Sequence, residues 1–367
     1  MNVLVVNAGS SSLKLRLLDA ADRVQGSADL PPIRVGEIGE ELGRFVSAGP
    51  AADAVGHRVV HGGADYRQAV RLDKDVDAQL DRLADLAPLH NARSLAAIRA
   101  LQELCPDIPQ IACFDTAFHA TLPPEAATYA VPWEWTRRWG LRRYGFHGLS
   151  HAWASRRAAE LMGRPISDLR LVTAHLGSGA SVAAVAEGRS VDTTMGFTPL
   201  EGLVMATRSG TVDPGLLLWL QHHGGLSVEA VERGLDNESG LLGVSGSSDL
   251  RVVIDGVDEG DERARLAYGI YLHRLRGLVA TMAAAMNGLD GLVFTGGAGE
   301  GSARLRRDAC TGLGFVGVAL DDRINAEDTG DRLLSGTNAP VVVAVVAARE
   351  DIEIAHQVRQ VLSRRSS

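Results

Sequence analysis

One short pattern occurs twice, and nothing else in the chain constrains its fold as much. Val3 to Val6 is a β-rich apolar run, Asn7-Ala8-Gly9-Ser10-Ser11-Ser12 a small polar turn, and Leu13 to Leu18 a second run. Leu171 to Ala174, His175-Leu176-Gly177-Ser178-Gly179 and Ser181 to Ala186 repeat that order. Each copy reads as a strand, a turn and a returning strand. Small turn residues let backbone N–H groups and hydroxyls approach an anion closely, and Lys14 places a cation just beyond the first turn. The P-loop spacing is absent and no helix follows the first glycine, so phosphates would lie over a hairpin rather than on a helix terminus. Taken alone, the first copy also fits an ordinary hairpin with a serine-rich turn. Two copies, one near the start of each half, suggest a duplicated domain clasping one anionic ligand.

A chain of 367 residues is too long for one ordinary core and suits two domains. Its net charge of −8 argues against non-specific nucleic-acid or anionic-membrane binding, which need a basic excess, so any anion site must be local. Cys105, Cys113 and Cys310 are scattered and odd in number, which disfavours a disulfide framework and fits a reducing cytoplasm. The N-terminus lacks a basic signal-peptide region, and no stretch reaches the ~18 apolar residues of a membrane span. A cytoplasmic protein, neither exported nor embedded, is expected.

Residues 19 to 54 read as surface structure with a short helix around Glu40 to Val46. Val55 to Val60 suggests a strand running into Gly62-Gly63, with Arg58 and Val60 on one face. A guanidinium beside a small apolar side chain suits a ligand with a carboxylate at one end and a short alkyl group at the other; a surface arginine with a packed neighbour fits as well. His57 and His61 lack an HExxH or third-ligand pattern, so they are not expected to bind metal. Helical spacing predicts helices over Lys74 to Leu86 and Asn91 to Leu104, with Asn91 as N-cap. A buried strand, Gln110 to Phe114, then delivers Asp115 to its carboxyl end, where ligands of α/β sheets gather and where an aspartate can equally cap a turn.

Residues 120 to 141 read as a crossover with Trp133, Trp135 and Trp139 at its surface. Arg142 to His151 reads as a glycine-bracketed loop presenting Phe146 and His147 ahead of a helix capped by Ser150, and a histidine here can donate to a transferring phosphoryl group. A glycine-punctuated stretch from Asp192 to Pro214 holds Arg208, suited to clamping phosphoryl charge. Gly243 to Arg251 is a polar turn, and Glu262 to Met286 a long buried helix. Leu292 to Thr295 is a strand entering a glycine turn, Gly296 to Gly301, with a basic helix from Ser302, an order that favours a nucleotide. Val341 to Val346 is a strand, Arg349-Glu350-Asp351 an acidic turn and Ile352 to Leu362 the last helix. Glu350 suits Mg²⁺ through water, or a helix N-terminus.

The segments NAGSSSLK, HRVVHGG, LAPLHN, FDTAFH, RRYGFHG, HLGSG, GFTPLEGL, TRSG followed by DP, SGSSDLR and FTGGAGEG occur in this order along nearly the whole chain. In that order they resemble the acetate kinases, the acetokinase family of the actin-like phosphotransferase superfamily. The resemblance implies an α/β fold of duplicated actin-like (ribonuclease H-like) βββαβαβα domains with an interdomain cleft: residues 1–119 plus 352–367 as one domain, 120–351 as the other, which carries most of the nucleotide site. It implies a homodimer, with ATP/ADP as co-substrate and Mg²⁺, or Mn²⁺ in its place. Its site positions fall on Asn7 and Glu350 for the metal. Lys14, with Ser10 and Ser12, contacts nucleotide phosphates. Arg58 takes the substrate carboxylate; Val60, Leu89, Phe146 and Pro199 surround its methyl group. Asp115, His147 and Arg208, with Arg58, are catalytic. The ATP segments are His175, Leu176, Gly177, Ser178 and Gly179; Asp249, Leu250 and Arg251; and Gly297, Ala298, Gly299, Glu300 and Gly301. The implied reaction is direct in-line transfer of the γ-phosphoryl group of ATP to acetate. Asp115 is expected to orient Arg58 or the metal's water shell, since acetate is already ionised at neutral pH.

Ser178, Thr211, Gly301 and Arg349 stand where the family usually has Asn, Asp, Asn and Asn, and residues 19–54 are short for it. These departures bear on the donor, so pyrophosphate is an alternative to ATP. Propionate or butyrate is an alternative acceptor, since one methylene changes binding by only ~1–3 kcal/mol. A nucleotide-binding module without turnover is the alternative of another class.

Overall fold

The computed structural model describes residues 1–364 except 10, 11, 32, 33, 84–87, 328, 329 and 337, and the side chains of residues 88–91 are also outside the described part. The strands are β1 (Val3–Ala8), β2 (Leu13–Leu18), β3 (Val24–Leu30), β4 (Ala54–Val59), β5 (Val70–Arg71), β6 (Gln110–Phe114), β7 (Arg170–Leu176), β8 (Ala180–Ala186), β9 (Arg189–Thr193), β10 (Gly291–Thr295), β11 (Arg332–Leu333) and β12 (Val342–Val345). They form two six-stranded sheets, ordered β3-β2-β1-β4-β6-β5 and β9-β8-β7-β10-β12-β11. Strand for strand the two orders are the same. In each, the first three strands form an antiparallel meander, the first, fourth and sixth run parallel, and a two-residue strand closes the edge. The chain divides into two compact units, residues 1–120, 146–153 and 349–367, and residues 121–145 and 154–348. The duplicated α/β fold expected from the recurring hairpin is the observed one.

In the first unit, side chains alternate across β1 as a pleated strand requires. Leu4, Val6 and Ala8 pack with Ile38, Leu42, Ala97 and Leu101 from helices Ile38–Ala48 and Pro88–Leu104. Val3 and Val5 pack on the other face with Ile354, Ala355 and Val358 of helix Glu350–Ser363. Those three positions form one stripe of that helix, and its approach depends on Gly56: a Cβ there would stand 2.5 Å from Ile354 and 2.8 Å from Val358. Seating this helix carries Glu350, its first residue, to the end of β1.

In the second unit β7, β8 and β10 are almost wholly buried, as their continuous apolar runs require. Helix Glu262–Ala285 covers β7 and β8, burying Ala264, Ala267, Tyr268, Tyr271, Leu275, Val279 and Met282 at helical spacing.

Several local expectations are corrected. Residues 19–54 contain β3, a half-exposed edge strand whose polar sequence has no apolar run to mark it. Helix Pro88–Leu104 begins before Asn91, which lies inside it instead of capping it. Helix Gly148–Met162 likewise begins before Ser150, which is buried in its first turn. Gly296–Gly301 is a short helix rather than a turn, and Glu350 and Asp351 open the last helix rather than forming a loop. Trp133, Trp135 and Trp139 lie at the surface as expected, on a short helix.

Candidate active site

The parallel strands β1, β4 and β6 end together at one edge of the first sheet, where polar residues no longer have to fill the core. Asn7 on β1, Arg58 on β4 and Asp115, just past β6, meet there. Arg58 donates from Nε to both carboxylate oxygens of Asp115 (3.1 and 3.2 Å) and from Nη2 to Oδ2 at 2.5 Å. Its Nη1 donates to Asn7 Oδ1 at 3.1 Å, and Asn7 Nδ2 donates to Glu350 Oε2 at 3.1 Å. Four residues spread over 343 positions thus form one hydrogen-bonded chain. Burial by itself would lower the Arg58 pKa, but the Asp115 and Glu350 carboxylates outweigh it and hold the guanidinium charged. Burial raises the Asp115 carboxyl above the ordinary carboxylate range, with Arg58 pulling the other way. A buried pair of this kind is held by geometry, and losing either partner would strand the other.

His147 follows directly in the same unit. Its φ of 56° is left-handed, unusual for a side-chain-bearing residue. The bend is held from both sides: Gly148 N–H donates to the Asp115 carbonyl at 2.9 Å, and His119 Nε2 lies 3.0 Å from the Phe146 carbonyl. A Cβ at Gly148 would collide with that Asp115 carbonyl, so only glycine fits after His147. Phe146 and Val60 are buried, and the Phe146 ring meets His61 edge-on at 5.5 Å. Lys14 stands opposite Asn7 across the β1–β2 ladder and is exposed. The Ser12 carbonyl accepts from Gly9 N–H at 2.9 Å and closes the first hairpin turn. Ser10 and the Leu89 side chain lie outside the described residues. His57 is buried with Nε2 on Gln110 Oε1 at 2.8 Å, and burial pushes His57 and His61 down to about 4.

The second unit holds a pocket of about 630 Å³. Gly177, Ser178, Asp249, Leu250, Arg251, Gly297, Ala298 and Gly301 all line it, although they come from three distant segments. Gly297 and Gly301 have open space where a Cβ would be, which leaves their backbone accessible. Gly296, with φ of 78°, lets this glycine helix start against the end of β7, since a Cβ would lie 2.9 Å from the Leu176 backbone. Asp249 caps helix Leu250–Glu259 by accepting from Arg251 N–H at 2.9 Å. Its carboxylate also pairs with the exposed Arg251 side chain at 2.7 Å, and the Arg251 contacts hold it down to about 2. Five other residues of the three expected ATP segments do not line this pocket. Leu176 and Gly299 are buried, His175 and Gly179 are half-buried, and Glu300 turns its carboxylate to Ala348 N–H at 3.0 Å. Tyr271, Ile254 and Leu241 line the pocket unanticipated, because at helical spacing each reads as core.

Arg208 is mostly buried in the same unit. Its Nη1 donates to the Pro199 carbonyl at 3.3 Å and its Nε lies 3.7 Å from Asp236. Burial lowers its pKa and Asp236 partly restores it. The loop bearing it is pinned by backbone bonds from Ser239 to Thr207 (2.9 Å) and from Ser209 to Leu235 (3.0 Å).

A duplicated α/β fold with a charged cluster at one sheet's carboxyl edge and a glycine-lined pocket in the other unit suits a phosphotransferase. The comparisons narrow the class to carboxylate kinases. A family model described as the acetokinase family matches residues 45–356, and the chain belongs to that family. It is 46% identical to the acetate kinase of a Synechococcus species, over 97% of this chain and 98% of that one. Among solved structures, acetate kinase from Porphyromonas gingivalis matches with a TM-score of 0.91 at 37% identity, covering 98% of this chain and 99% of that one. A propionate kinase from Francisella tularensis matches with a TM-score of 0.89 at 34% identity, covering 98% and 99%.

Proposed function

We propose that the chain is an acetate kinase, moving the γ-phosphoryl group of ATP to acetate and back. An acetate oxygen attacks the γ-phosphorus in line, a bond to that oxygen forms, and the bond to the β,γ-bridging oxygen breaks with its electron pair leaving on ADP. No proton need move, because acetate is ionised at neutral pH. The Asp115–Arg58–Asn7–Glu350 chain carries this reading: it holds a guanidinium charged and aimed without a mobile counter-ion. Asp115 is then a positioning residue for Arg58 rather than a base. Arg208 and His147 stabilise charge on the phosphoryl group in transit, and both are held by backbone geometry before substrate arrives. Val60, Phe146, Leu89 and Pro199 exclude water around the methyl group. The glycine-lined pocket takes the nucleotide, with Lys14 and the hairpin turns on its phosphates.

Asn7 Oδ1 and the Glu350 carboxylate are hard oxygen donors that fit Mg²⁺ held mainly by phosphate oxygens and water. When bound, the ion supplies charge neutralisation on the phosphates. Helices Pro214–His222 and Val228–Asn237 bury no residue and leave Leu216, Leu218, Trp219 and Val228 exposed, with Leu226 between them exposed as well, which supports a homodimer. Three free, buried cysteines fit the cytoplasm.

The test is to trap acyl phosphate with hydroxylamine, using acetate, propionate or butyrate with ATP or pyrophosphate. Turnover fastest with acetate and ATP is expected. Folded protein that binds ATP yet turns over no carboxylate would overturn the reading. Light scattering should give twice the chain mass of 38.9 kDa.

A further inference from the structure

Two motifs contribute residues that the reaction above leaves unused, Arg143 of RRYGFHG and Glu201 of GFTPLEGL. They meet in the second unit around Tyr129. Arg143 donates from Nη2 to Glu201 Oε1 at 2.7 Å and from Nη1 to the carbonyls of Thr194 and Met195 at 3.2 and 3.1 Å. The Tyr129 hydroxyl donates to Glu201 Oε2 at 2.6 Å and accepts from Phe197 N–H at 2.8 Å. The Arg143 guanidinium lies over the Tyr129 ring, 5.5 Å from its centre. These polar atoms occupy the space where a side chain on Gly196 would stand, so the loop can close on them only with glycine there.

The triad grips an irregular segment with no strand or helix of its own. Residues 194–201 carry Pro199, whose side chain is assigned to the methyl pocket and whose carbonyl accepts from Arg208. The carbonyl of Gly196 also accepts from the N–H groups of Tyr144 and Gly145 at 3.1 and 3.3 Å, and the next residues in the chain are Phe146 and His147. One charged, half-buried cluster therefore anchors the backbone on both routes into the acyl-binding residues. A hydrogen-bonded clamp suits this task better than apolar packing, because its directional bonds fix position rather than proximity alone.

We propose that Tyr129, Arg143 and Glu201 are positioning residues whose clamp on residues 194–201 sets the acyl-chain length the enzyme accepts. The proposal rests on the acetate kinase reading and adds a determinant of its acceptor range. Holding Pro199 rigidly favours the short acyl chain, and loosening it admits longer chains at the expense of acetate.

The test compares native protein with Tyr129→Phe, which keeps ring and volume but removes the hydroxyl that both donates and accepts, and with Glu201→Gln. Both are assayed with acetate, propionate and butyrate at saturating ATP and Mg²⁺. The acetate-to-propionate ratio of kcat/KM is expected to fall about fivefold or more in Tyr129→Phe, with KM for ATP unchanged. Hydrogen exchange across residues 194–201 should quicken while β7 and β8 keep their protection. An equal loss of activity on all three acids, or an unchanged ratio with unchanged exchange, would overturn the clamp while leaving the acetate kinase reading intact. Native protein inactive on every acid would overturn both.

Discussion

The two sheets share one strand order and put it to opposite uses. Counting the ladders from Val3–Ala54 and Leu171–Gly291 sets Asn7 against His175, Arg58 against Thr295 and Asp115 against Ala348. The first sheet ends in charged side chains and the second in backbone, through Gly177, Gly297 and Gly301. Duplication thus supplied the frame, and the chemistry diverged where the frame constrains residues least. Strand interiors must pack, whereas the residue just past a strand end is limited only by what it must touch.

The largest expected effect breaks the charged side of this comparison. Arg58→Ala should lower kcat/KM by about 10³-fold or more and strand a buried Asp115 carboxylate, which steady-state kinetics and a urea melt would show. Chelation with EDTA should abolish turnover reversibly on the proposed reading, with activity restored by Mg²⁺. Next is Gly56→Val, which should cost about 1–3 kcal/mol by pushing Ile354 and Val358 away from the first sheet. Because the displaced helix carries Glu350, kcat should fall with stability, whereas a donor-side substitution should spare kcat.

Acid separates the two units more gently. His57 and His61 are buried in the first unit with pKa values depressed to about 4, below the ordinary 6.5. Groups depressed in the fold contribute stability that is present above pH 6.5 and lost as pH falls towards 4. By pH 5.5 each should have given up about 1 kcal/mol. Protection factors, which correct for the slower intrinsic exchange in acid, should therefore fall between pH 7.5 and pH 5.5 in β4 and β6 before β7 and β10; equal falls in both sheets would deny the assignment. The smallest effect belongs to Gly301→Asn, which adds a polar group at an open position of the nucleotide pocket and should change KM for ATP by about threefold.

Much of the fold was legible where pattern and packing coincide. The two hairpins, the strand before Asp115 and the long helix over β7 and β8 carry apolar periods that burial enforces. The edge strand β3 was not legible, because a half-exposed strand with Gln25, Gly26, Ser27 and Asp29 has no period to display. The caps expected at Asn91 and Ser150 failed although both residue types favour caps: each helix starts earlier in the chain, and ahead of Ser150 the side chain of Leu149 packs into the core of the first unit. Among the site residues, Arg58, Asp115 and the glycines could be singled out by chemistry and position. Glu300 could not be separated from its neighbours, since only the folded chain turns it to the Ala348 amide.

What the sequence by itself determined is the duplicated α/β frame and the kinds of group available to it, because strand and helix periods are local and a phosphate turn has few possible compositions. What only the tertiary structure decided is which groups meet. The Asn7–Glu350 bond closes a separation of 343 residues and depends on a missing side chain at Gly56. The Tyr129–Glu201 bond spans 72 residues and depends on another at Gly196. No local period encodes either contact, since each is set by where packed elements come to rest.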